Sequence, residues 1–252
     1  MLVDTHCHIH ESYELPIGEV LEFAREQGVA QMICVGTSEE SSELAVSFSE
    51  KHDEAFASIG VHPHDTKDGY EAIARLAGTS KRIVAVGEIG LDYFYTNSPK
   101  ETQIEALKTQ IEVALRHDLP IIFHVREAFD DFWPIFDRYE GIRGVLHSFT
   151  DSKENMQKAV AKGLYIGVNG ISTFTKDETQ KEMFDAIPLE RIVFETDAPF
   201  LTPTPYRGKI NQPAYVRTVA EFHATRRGIS LEEIANASSQ NARALFHLTT
   251  QS

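Results

Sequence analysis

Short apolar runs rich in β-branched residues recur along the whole chain and predict buried strands, because parallel strands covered on both faces read as continuous apolar runs. Between them lie longer stretches with apolar positions three and four residues apart, which predict amphipathic helices. The predicted strands are 2–4, 31–35, 55–59, 83–86, 121–123, 144–146, 165–168 and 192–194.

The clearest helical pattern covers 101–117, where Leu107 and Ile111 stand on one face. Ser230 has the position of an N-cap, and Glu233 follows three residues later as in a capping box, so a helix is expected to begin after Ser230. The remaining predicted helices are 18–27, 39–51, 130–139, 153–162, 176–186 and 231–245.

The number of strands indicates the fold class. Eight predicted strands in 252 residues leave about 31 residues for each strand with its helix, which is the length of one β–α–β repeat. This rhythm predicts an α/β fold, a (β/α)8 TIM barrel, with a doubly wound open sheet as the alternative. No linker interrupts the pattern, so we expect residues 1–252 to form a single domain.

The segment 199–213 departs from this rhythm. It reads PFLTPTPYRGKINQP and holds four of the ten prolines of the chain. Proline disfavours both helix interiors and central strands, so we expect a long irregular loop after the eighth strand. Long ordered loops in compact domains are usually functional.

Composition and charge narrow the function. Apolar residues make up 42% of the chain, as in an ordinary globular protein. The net charge of −14 disfavours a broad basic face that binds nucleic acid by charge alone. No apolar run reaches the roughly 18 residues of a membrane span, and no secretory signal is expected. Two cysteines, Cys7 and Cys34, suit a reducing compartment, so we predict a cytoplasmic protein with no membrane partner. Nothing in the sequence indicates an obligate protein partner.

Histidines and carboxylates gather at the C-terminal ends of the predicted strands. The histidines are His6, His8, His62, His64, His124 and His147. The carboxylates are Glu88, Glu195 and Asp197. In a closed barrel these ends converge on one face, where barrel enzymes carry their chemistry. The sequence therefore predicts a metal site at the C-terminal face of the strands.

His6 and His8 are two residues apart at a strand end. Side chains alternate across a strand, so both are expected to point the same way while Cys7 points oppositely. Such a pair can hold one metal ion through two imidazoles. The alternative is a pair of histidines packed in a polar barrel mouth.

Two further histidines and two carboxylates complete the predicted ligand set. His124 and His147 each end an apolar strand, Glu88 can bridge two ions with its two oxygens, and Asp197 closes the ring next to the first strand. Imidazole with carboxylate suits Zn, Mn, Fe or Mg. Two divalent ions with these two carboxylates leave a centre of about +2, which attracts an anionic substrate.

Several residues near these ends suit a substrate that carries phosphate. The predicted substrate-binding residues are His62, His64, Arg126, Glu195, Arg207 and Lys209. Guanidinium groups can grip phosphate oxygens with two hydrogen bonds, although surface charges or salt bridges are the alternative. Glu195 shares a strand face with Asp197, which favours a supporting or substrate-contacting role over metal ligation.

Three aromatic residues follow the fourth strand. Tyr93, Phe94 and Tyr95 have two interpretations that the sequence leaves open. They either line the cleft and stack on a base, or they pack into the core.

The motifs together resemble the TatD family of metal-dependent deoxyribonucleases. The segments DTHCHI, GVHPHD, VGEIGLDY, HVR, HSF, ETDAPFLTP and RGKINQP run in family order from Asp4 to Pro213. The resemblance covers essentially the whole chain, and the motifs are highly specific in combination.

The resemblance implies a TIM-barrel hydrolase with two divalent metals. One ion would be held by His6, His8, Glu88 and Asp197, and the other by Glu88, His124 and His147. It also implies a magnesium-dependent nuclease that removes nucleotides from DNA 3′ ends. No ligand of the family pattern is missing from this chain.

The resulting hypothesis is hydrolysis of DNA phosphodiester bonds by a water that two divalent metals (Mg, Mn or Zn) activate, with Asp197 and Glu88 as catalytic residues. The partners would be DNA ends or a small phosphoester. Two alternatives remain at this point. One is a hydrolase of an amide, a lactone or another small ester on the same dinuclear barrel, and the other is a non-catalytic metal-binding protein.

Overall fold

The eight strands of the protein form one sheet in a computed structural model that describes residues 1–95 and 97–249. The strands are β1 Leu2–Cys7, β2 Val29–Val35, β3 Ala55–Ile59, β4 Ile83–Asp92, β5 Ile121–Arg126, β6 Gly144–Leu146, β7 Tyr165–Val168 and β8 Ile192–Phe194. They are ordered β1-β2-β3-β4-β5-β6-β7-β8, each hydrogen-bonded to its neighbours in the sheet. Parallel strands in sequence order with helices between them confirm the predicted (β/α)8 TIM barrel.

Helices alternate with these strands. They are α1 Ile17–Glu26, α2 Glu39–Lys51, α3 Ala72–Leu76, α4 Lys100–Arg116, α5 Phe129–Phe136, α6 Lys153–Ala161, α7 Ile171–Phe174, α8 Glu178–Ala186, α9 Val216–Arg227 and α10 Leu231–Phe246. Short 3-10 turns cover Pro63–Asp68, Leu189–Arg191 and Pro213–Tyr215. The Ser230 side chain accepts a hydrogen bond from the Glu233 N–H at 3.1 Å, which confirms the predicted N-cap of α10. Among the described residues, no helix combines the length and the apolar character that a membrane crossing requires.

By its internal contacts the chain divides into two compact units. Unit 1 comprises Met1–Ile33 and His147–Ser252, and unit 2 comprises Cys34–Leu146. The assignment of residues 1–252 to one domain stays a prediction.

In unit 1 the first and last strands of the barrel are joined at their C-terminal ends. The His8 N–H donates to the Ala198 carbonyl at 2.7 Å, and the Asp197 N–H donates to the His6 carbonyl at 2.8 Å. A parallel bridge between Cys7 and Ala198 continues this pairing. The two segments that carry predicted ligands are therefore held side by side by their own backbones.

In unit 2 an aromatic core lies against β5. Phe123, fully buried, packs on Phe132 and Phe136 of α5 with ring centroids 5.2 and 6.1 Å apart. On β4, Gly90 has a φ of 156°, and a side chain there would collide with the backbone of His124. Glycine at this position thus lets β4 approach β5 closely where both carry predicted ligands.

Several strands continue beyond their predicted ends. β3, β6, β7 and β8 match the predicted bounds, but β4 runs on to Asp92 and β5 to Arg126, with Asp92 paired to Arg126 in the ladder. Backbone pairing does not require an apolar side chain, so the polar ends of these segments stay in the sheet. Glu88 and His124 therefore lie within strands rather than after them.

The region that follows β8 holds both a confirmed and a missed element. The segment 199–213 is irregular up to the turn that begins at Pro213, as predicted. The helix α9 was not predicted, because its buried face includes Ala220 and His223, which give little apolar periodicity. Asn211, fully buried, ties the loop to the strand end by donating to the Thr196 carbonyl at 2.7 Å.

Candidate metal centre

Unit 1 carries five candidate residues at the ends of β1, β6 and β8, which we call the unit 1 cluster. Its members are His6, His8, His147, Glu195 and Asp197. The Nε2 atoms of His6 and His8 lie 3.1 Å apart, as the predicted strand alternation requires. Asp197 Oδ1 is 3.6 Å from the first and 3.3 Å from the second. Ligand atoms of these three residues all lie within 4.8 Å of one another, a spacing that one metal ion can bridge.

His147 and Glu195 extend the cluster. The His147 ring stacks on His6 with centroids 4.1 Å apart, and its Nδ1 lies 3.6 Å from Glu195 Oε1. Glu195 is fully buried and accepts a hydrogen bond from the Ser148 N–H at 2.6 Å. A side chain at Gly167 would come within 2.5 Å of Glu195 Oε2, so this glycine makes room for the carboxylate. Glu195 is thus a neighbour of His147, and its predicted supporting role stays a prediction.

Asp197 is anionic in this setting. Burial alone raises the pKa of Asp197, but the hydrogen bond from His8 and the nearby His6 and His147 outweigh that effect and hold the pKa below its usual range. The residue has a φ of 58°, in the left-handed region. The turn after β8 therefore presents a carboxylate, not a carboxylic acid, to the two imidazoles.

Asp4 supports the unit 1 cluster and was given no role in the sequence analysis. It is fully buried, and its carboxylate accepts hydrogen bonds from the Thr196 N–H at 2.8 Å and the Thr196 hydroxyl at 2.6 Å. Burial raises the pKa of Asp4 to about 8, against the opposing effect of these hydrogen bonds. Its spacing could have predicted this position, because Asp4 stands two and four residues before His6 and His8 and so lies on the same strand face.

Unit 2 carries a second group, the unit 2 cluster, on β4, on β5 and in the 3-10 turn that follows β3. Its members are His62, His64, Glu88, Asp92 and His124. His124 Nδ1 lies 2.8 Å from Glu88 Oε1, and His62 Nε2 lies 3.5 Å from the same oxygen. These three residues again offer ligand atoms within 4.8 Å of one another. Glu88 therefore has two imidazole neighbours within its own unit.

Asp92 lies behind these histidines and was missed by the sequence analysis. Its Oδ2 is 3.0 Å from His124 Nε2 and 3.0 Å from His64 Nε2. Burial raises the pKa of Asp92, but the hydrogen bond from His124 and the backbone of Tyr95 lower it more, so the net shift is downward. The carboxylate can thus fix which nitrogen of His124 carries the proton. Asp92 stands four residues after Glu88 on one strand, which is the pattern that would have found it.

The predicted cationic residue of unit 2 lies among aromatic rings. The Arg126 guanidinium carbon is 3.8 Å from the ring centre of Phe94 and 5.1 Å from that of Tyr95. The stacked group keeps its N–H bonds in the plane of the guanidinium, where a phosphate can still accept from them. Phe94 and Tyr95 are half-exposed, which decides against the core-packing interpretation for these two residues.

The two predicted cationic residues of unit 1 line a cavity. Arg207 and Lys209 border a space of about 440 Å³ together with Phe200. Phe200 is 60% exposed, and its ring centre is 6.4 Å from that of His8. The Arg207 guanidinium donates to the Thr202 carbonyl at 2.8 Å, which fixes its position in the loop. Unit 1 thus has a cavity lined by two cations and by Glu14, and its Phe200 lies near His8.

Comparison with known proteins identifies the family. The model of the family described as TatD related DNase matches residues 3–247. The chain belongs to this family. The resemblance seen in the sequence motifs is therefore confirmed over nearly the whole chain.

Individual relatives support the family on sequence and on structure. The chain is 38% identical to the uncharacterized metal-dependent hydrolase YabD of Bacillus subtilis, over 98% of this chain and 100% of that protein. It is 33% identical to the 3′-5′ ssDNA/RNA exonuclease TatD of Erwinia tasmaniensis, over 91% of this chain and 93% of that one. The crystal structure of the TatD homolog YjjV from Escherichia coli K12 matches with a TM-score of 0.89 and 28% identity, over 98% of each chain.

The coarse activity follows from the family together with the clusters. The protein is a metal-dependent hydrolase of the TatD family. Both clusters offer imidazole and carboxylate donors without thiolate, which is the donor set of Zn, Mn, Fe or Mg sites. The assignment of each residue to an ion or to substrate stays a prediction.

Proposed function

We propose that the protein hydrolyses phosphodiester bonds of DNA, as a 3′-5′ exodeoxyribonuclease that acts on DNA ends. The observation that carries the proposal is the pair of clusters, each with three histidines and two carboxylates whose possible ligand atoms lie close together. The substrate class is supported by the Erwinia relative, which is named a 3′-5′ ssDNA/RNA exonuclease. Cationic side chains beside each cluster suit a substrate with phosphate groups.

We keep the ligand assignment that the family resemblance implies for two divalent cations, Mg, Mn or Zn. His6, His8 and Asp197 serve one ion, His124 and His147 serve the other, and Glu88 serves both. When bound, such ions lower the pKa of a water from about 15.7 toward 7 and so supply a nucleophile at neutral pH.

The protein's own groups would position this reaction. Asp197, which stays ionised despite its burial because neighbouring histidines lower its pKa, orients the attacking water and accepts its proton. His62, Arg126 and Arg207 donate hydrogen bonds to the phosphate oxygens and stabilise the charge that builds on them. Glu195 and Asp92 act indirectly, by holding His147 and His124 in the orientation that binds the ion.

The proposal is tested by replacing Glu88 with alanine. We expect Glu88→Ala to lower the cleavage of end-labelled single-stranded DNA by about 10³-fold or more, because a shared ligand contributes several kcal/mol to charge stabilisation. The circular dichroism spectrum should be unchanged. Glu50→Ala, at an exposed position of α2, is the matched control and should cleave at the wild-type rate.

Two results would contradict the proposal. Cleavage by Glu88→Ala at the wild-type rate would remove its shared-ligand role. Hydrolysis of amides or lactones by the wild-type protein, with no cleavage of DNA, would favour the alternative of a small-ester or amide hydrolase. Metal analysis of the purified protein should give two equivalents and will identify the ion.

A further inference from the structure

Two aromatic side chains stand out in solvent directly after β4. Phe94 is 48% exposed and Tyr95 is 46% exposed, and their ring centres lie 4.6 Å apart at nearly a right angle. We call these two residues the aromatic platform. Large aromatic side chains gain most of their stabilisation from burial, so a pair left open at a strand end requires an explanation beyond the core.

The backbone under the platform is fixed by hydrogen bonds. Asp92 Oδ1 accepts from the N–H groups of both Phe94 and Tyr95 at 3.0 Å. The other oxygen of the same carboxylate faces His64 and His124. The backbone that carries the two rings is therefore fixed, while about half of each side chain remains exposed to solvent.

A positive charge accompanies the platform. The Arg126 guanidinium lies 3.8 Å from the centre of Phe94 and 5.1 Å from that of Tyr95. In a protein of net charge −14, a cation placed against partly exposed aromatic side chains attracts a ligand that combines an anion with a flat ring. A nucleotide has both parts, because its base can stack while its phosphate accepts from the guanidinium.

A chain of ring contacts joins the platform to the unit 2 cluster. Tyr95 meets His64 edge-on with centroids 5.3 Å apart, His64 is 4.3 Å from His62, and His62 is 4.4 Å from His124. The platform thus borders the residues proposed to bind phosphate and metal.

A cavity that Tyr95 helps to line adds room for such a ligand. It has a volume of about 280 Å³, and Tyr93, Tyr95 and Lys100 are among the residues that line it. The Lys100 Nζ atom lies 3.8 Å from the ring centre of Tyr93. This volume is below the roughly 300–1,000 Å³ of sites for drug-sized ligands, so it suits one base or one nucleotide.

We propose that the aromatic platform stacks an unpaired base of a single-stranded nucleic acid next to the bond that is cleaved, with Arg126 holding the adjoining phosphate. The ligand is single-stranded because in a duplex both faces of a base are covered by its stacked neighbours. This inference rests on the proposed function and adds to it a base-stacking subsite in unit 2.

The test compares variants that remove an aromatic face with variants that keep it. Phe94→Leu and Tyr95→Leu lose the face, whereas Phe94→Tyr and Tyr95→Phe are matched controls that retain it. Each is made in an Asp197→Asn background, so that DNA is not cleaved during the measurement. Fluorescence anisotropy then gives the Kd for a labelled single-stranded oligonucleotide and for an abasic oligonucleotide of the same length.

We expect the leucine variants to bind the oligonucleotide with bases about tenfold more weakly, since stacking on an aromatic side chain contributes about 1–3 kcal/mol per base. The controls should bind as their parent does, and all variants should bind the abasic strand equally. Equal binding of the base-bearing strand by leucine variants and parent would overturn the subsite, as would an equal loss for both strands or a parent that binds neither.

The proposed nuclease activity is judged separately from these binding data. Cleavage by the protein with Asp197 intact, measured on the same base-bearing strand, tests the proposed function. Weaker binding by the leucine variants without any cleavage by that protein would keep the stacking subsite and overturn the nuclease.

Discussion

The two clusters have the same composition but differ in exposure. The histidine side chains of the unit 1 cluster, His6, His8 and His147, are 0%, 7% and 5% exposed. Those of the unit 2 cluster, His62, His64 and His124, are 12%, 23% and 18% exposed. The carboxylates behind these histidines show no such difference in exposure, since Glu195 and Asp92 are both buried.

This difference indicates that the unit 1 cluster is the more firmly held and that the unit 2 cluster is the more accessible to solvent. In the unit 1 cluster the strand ends that carry the predicted ligands are joined by backbone hydrogen bonds, and the buried Asp4 bonds to Thr196 beside them. In the unit 2 cluster the histidines border an exposed aromatic pair. Charges interact more strongly where water is excluded, so we expect the first cluster to dominate metal affinity and the second to meet the substrate.

The sharpest test of this comparison removes the supporting carboxylate from each cluster. Glu195→Gln and Asp92→Asn keep the shape but lose the charge that orients His147 and His124. We expect metal affinity to fall by about 10–100-fold in each, with the larger loss for Glu195→Gln because it is the more enclosed site. Competition with a chromophoric chelator measures both. A larger loss of metal affinity in Asp92→Asn would show that the unit 2 cluster dominates metal binding. Unchanged affinity in both variants would show that neither carboxylate orients its histidine.

A second test compares the two arginines with lysines. Arg126→Lys keeps a charge but loses the planar group stacked on Phe94, whereas Arg207→Lys loses the hydrogen bond to the Thr202 carbonyl. We expect KM for single-stranded DNA to rise about tenfold for the first and less for the second, with kcat nearly unchanged. Steady-state kinetics decides, with the exposed Arg138→Lys as control. A larger effect at Arg207 would place the main substrate contacts in unit 1.

The smallest expected effect concerns stability and is confined to acidic pH. His223 of unit 1 is fully buried, its Nε2 lies 2.9 Å from the Ser172 hydroxyl, and burial lowers its pKa to about 3. Unfolded, it binds a proton near pH 6.5. Above about pH 6.5 the free energy of unfolding is therefore not lowered by His223. It decreases as the pH falls from 6.5 toward 3, because only the unfolded chain takes up the proton.

Urea denaturation at pH 7 and pH 5 measures this effect. The wild-type protein should lose about 2 kcal/mol more than His223→Gln between these two pH values. An equal loss in the two proteins would show that His223 is protonated in the folded state.

The sequence predicted which candidate side chains lie together better than it predicted the residues that support them. Strand alternation was enough to pair His6 with His8, and the convergence of strand ends brought in Asp197. Asp4 and Asp92 were missed, because their roles depend on which carboxylate oxygen faces which neighbour in three dimensions. The exposure of the aromatic residues after β4 could not be predicted either, because their sequence is the same whether the side chains pack inward or face solvent.

The two oxygens of Asp92 have a practical consequence for protein engineering. One oxygen faces the histidines and the other fixes the turn that presents the aromatic pair. A library that randomises 93–95 to alter substrate choice must leave this aspartate in place, whereas a change at Asp92 itself would disturb metal affinity and substrate choice together. Grafting this loop from a relative therefore means transferring 88–95 as one piece.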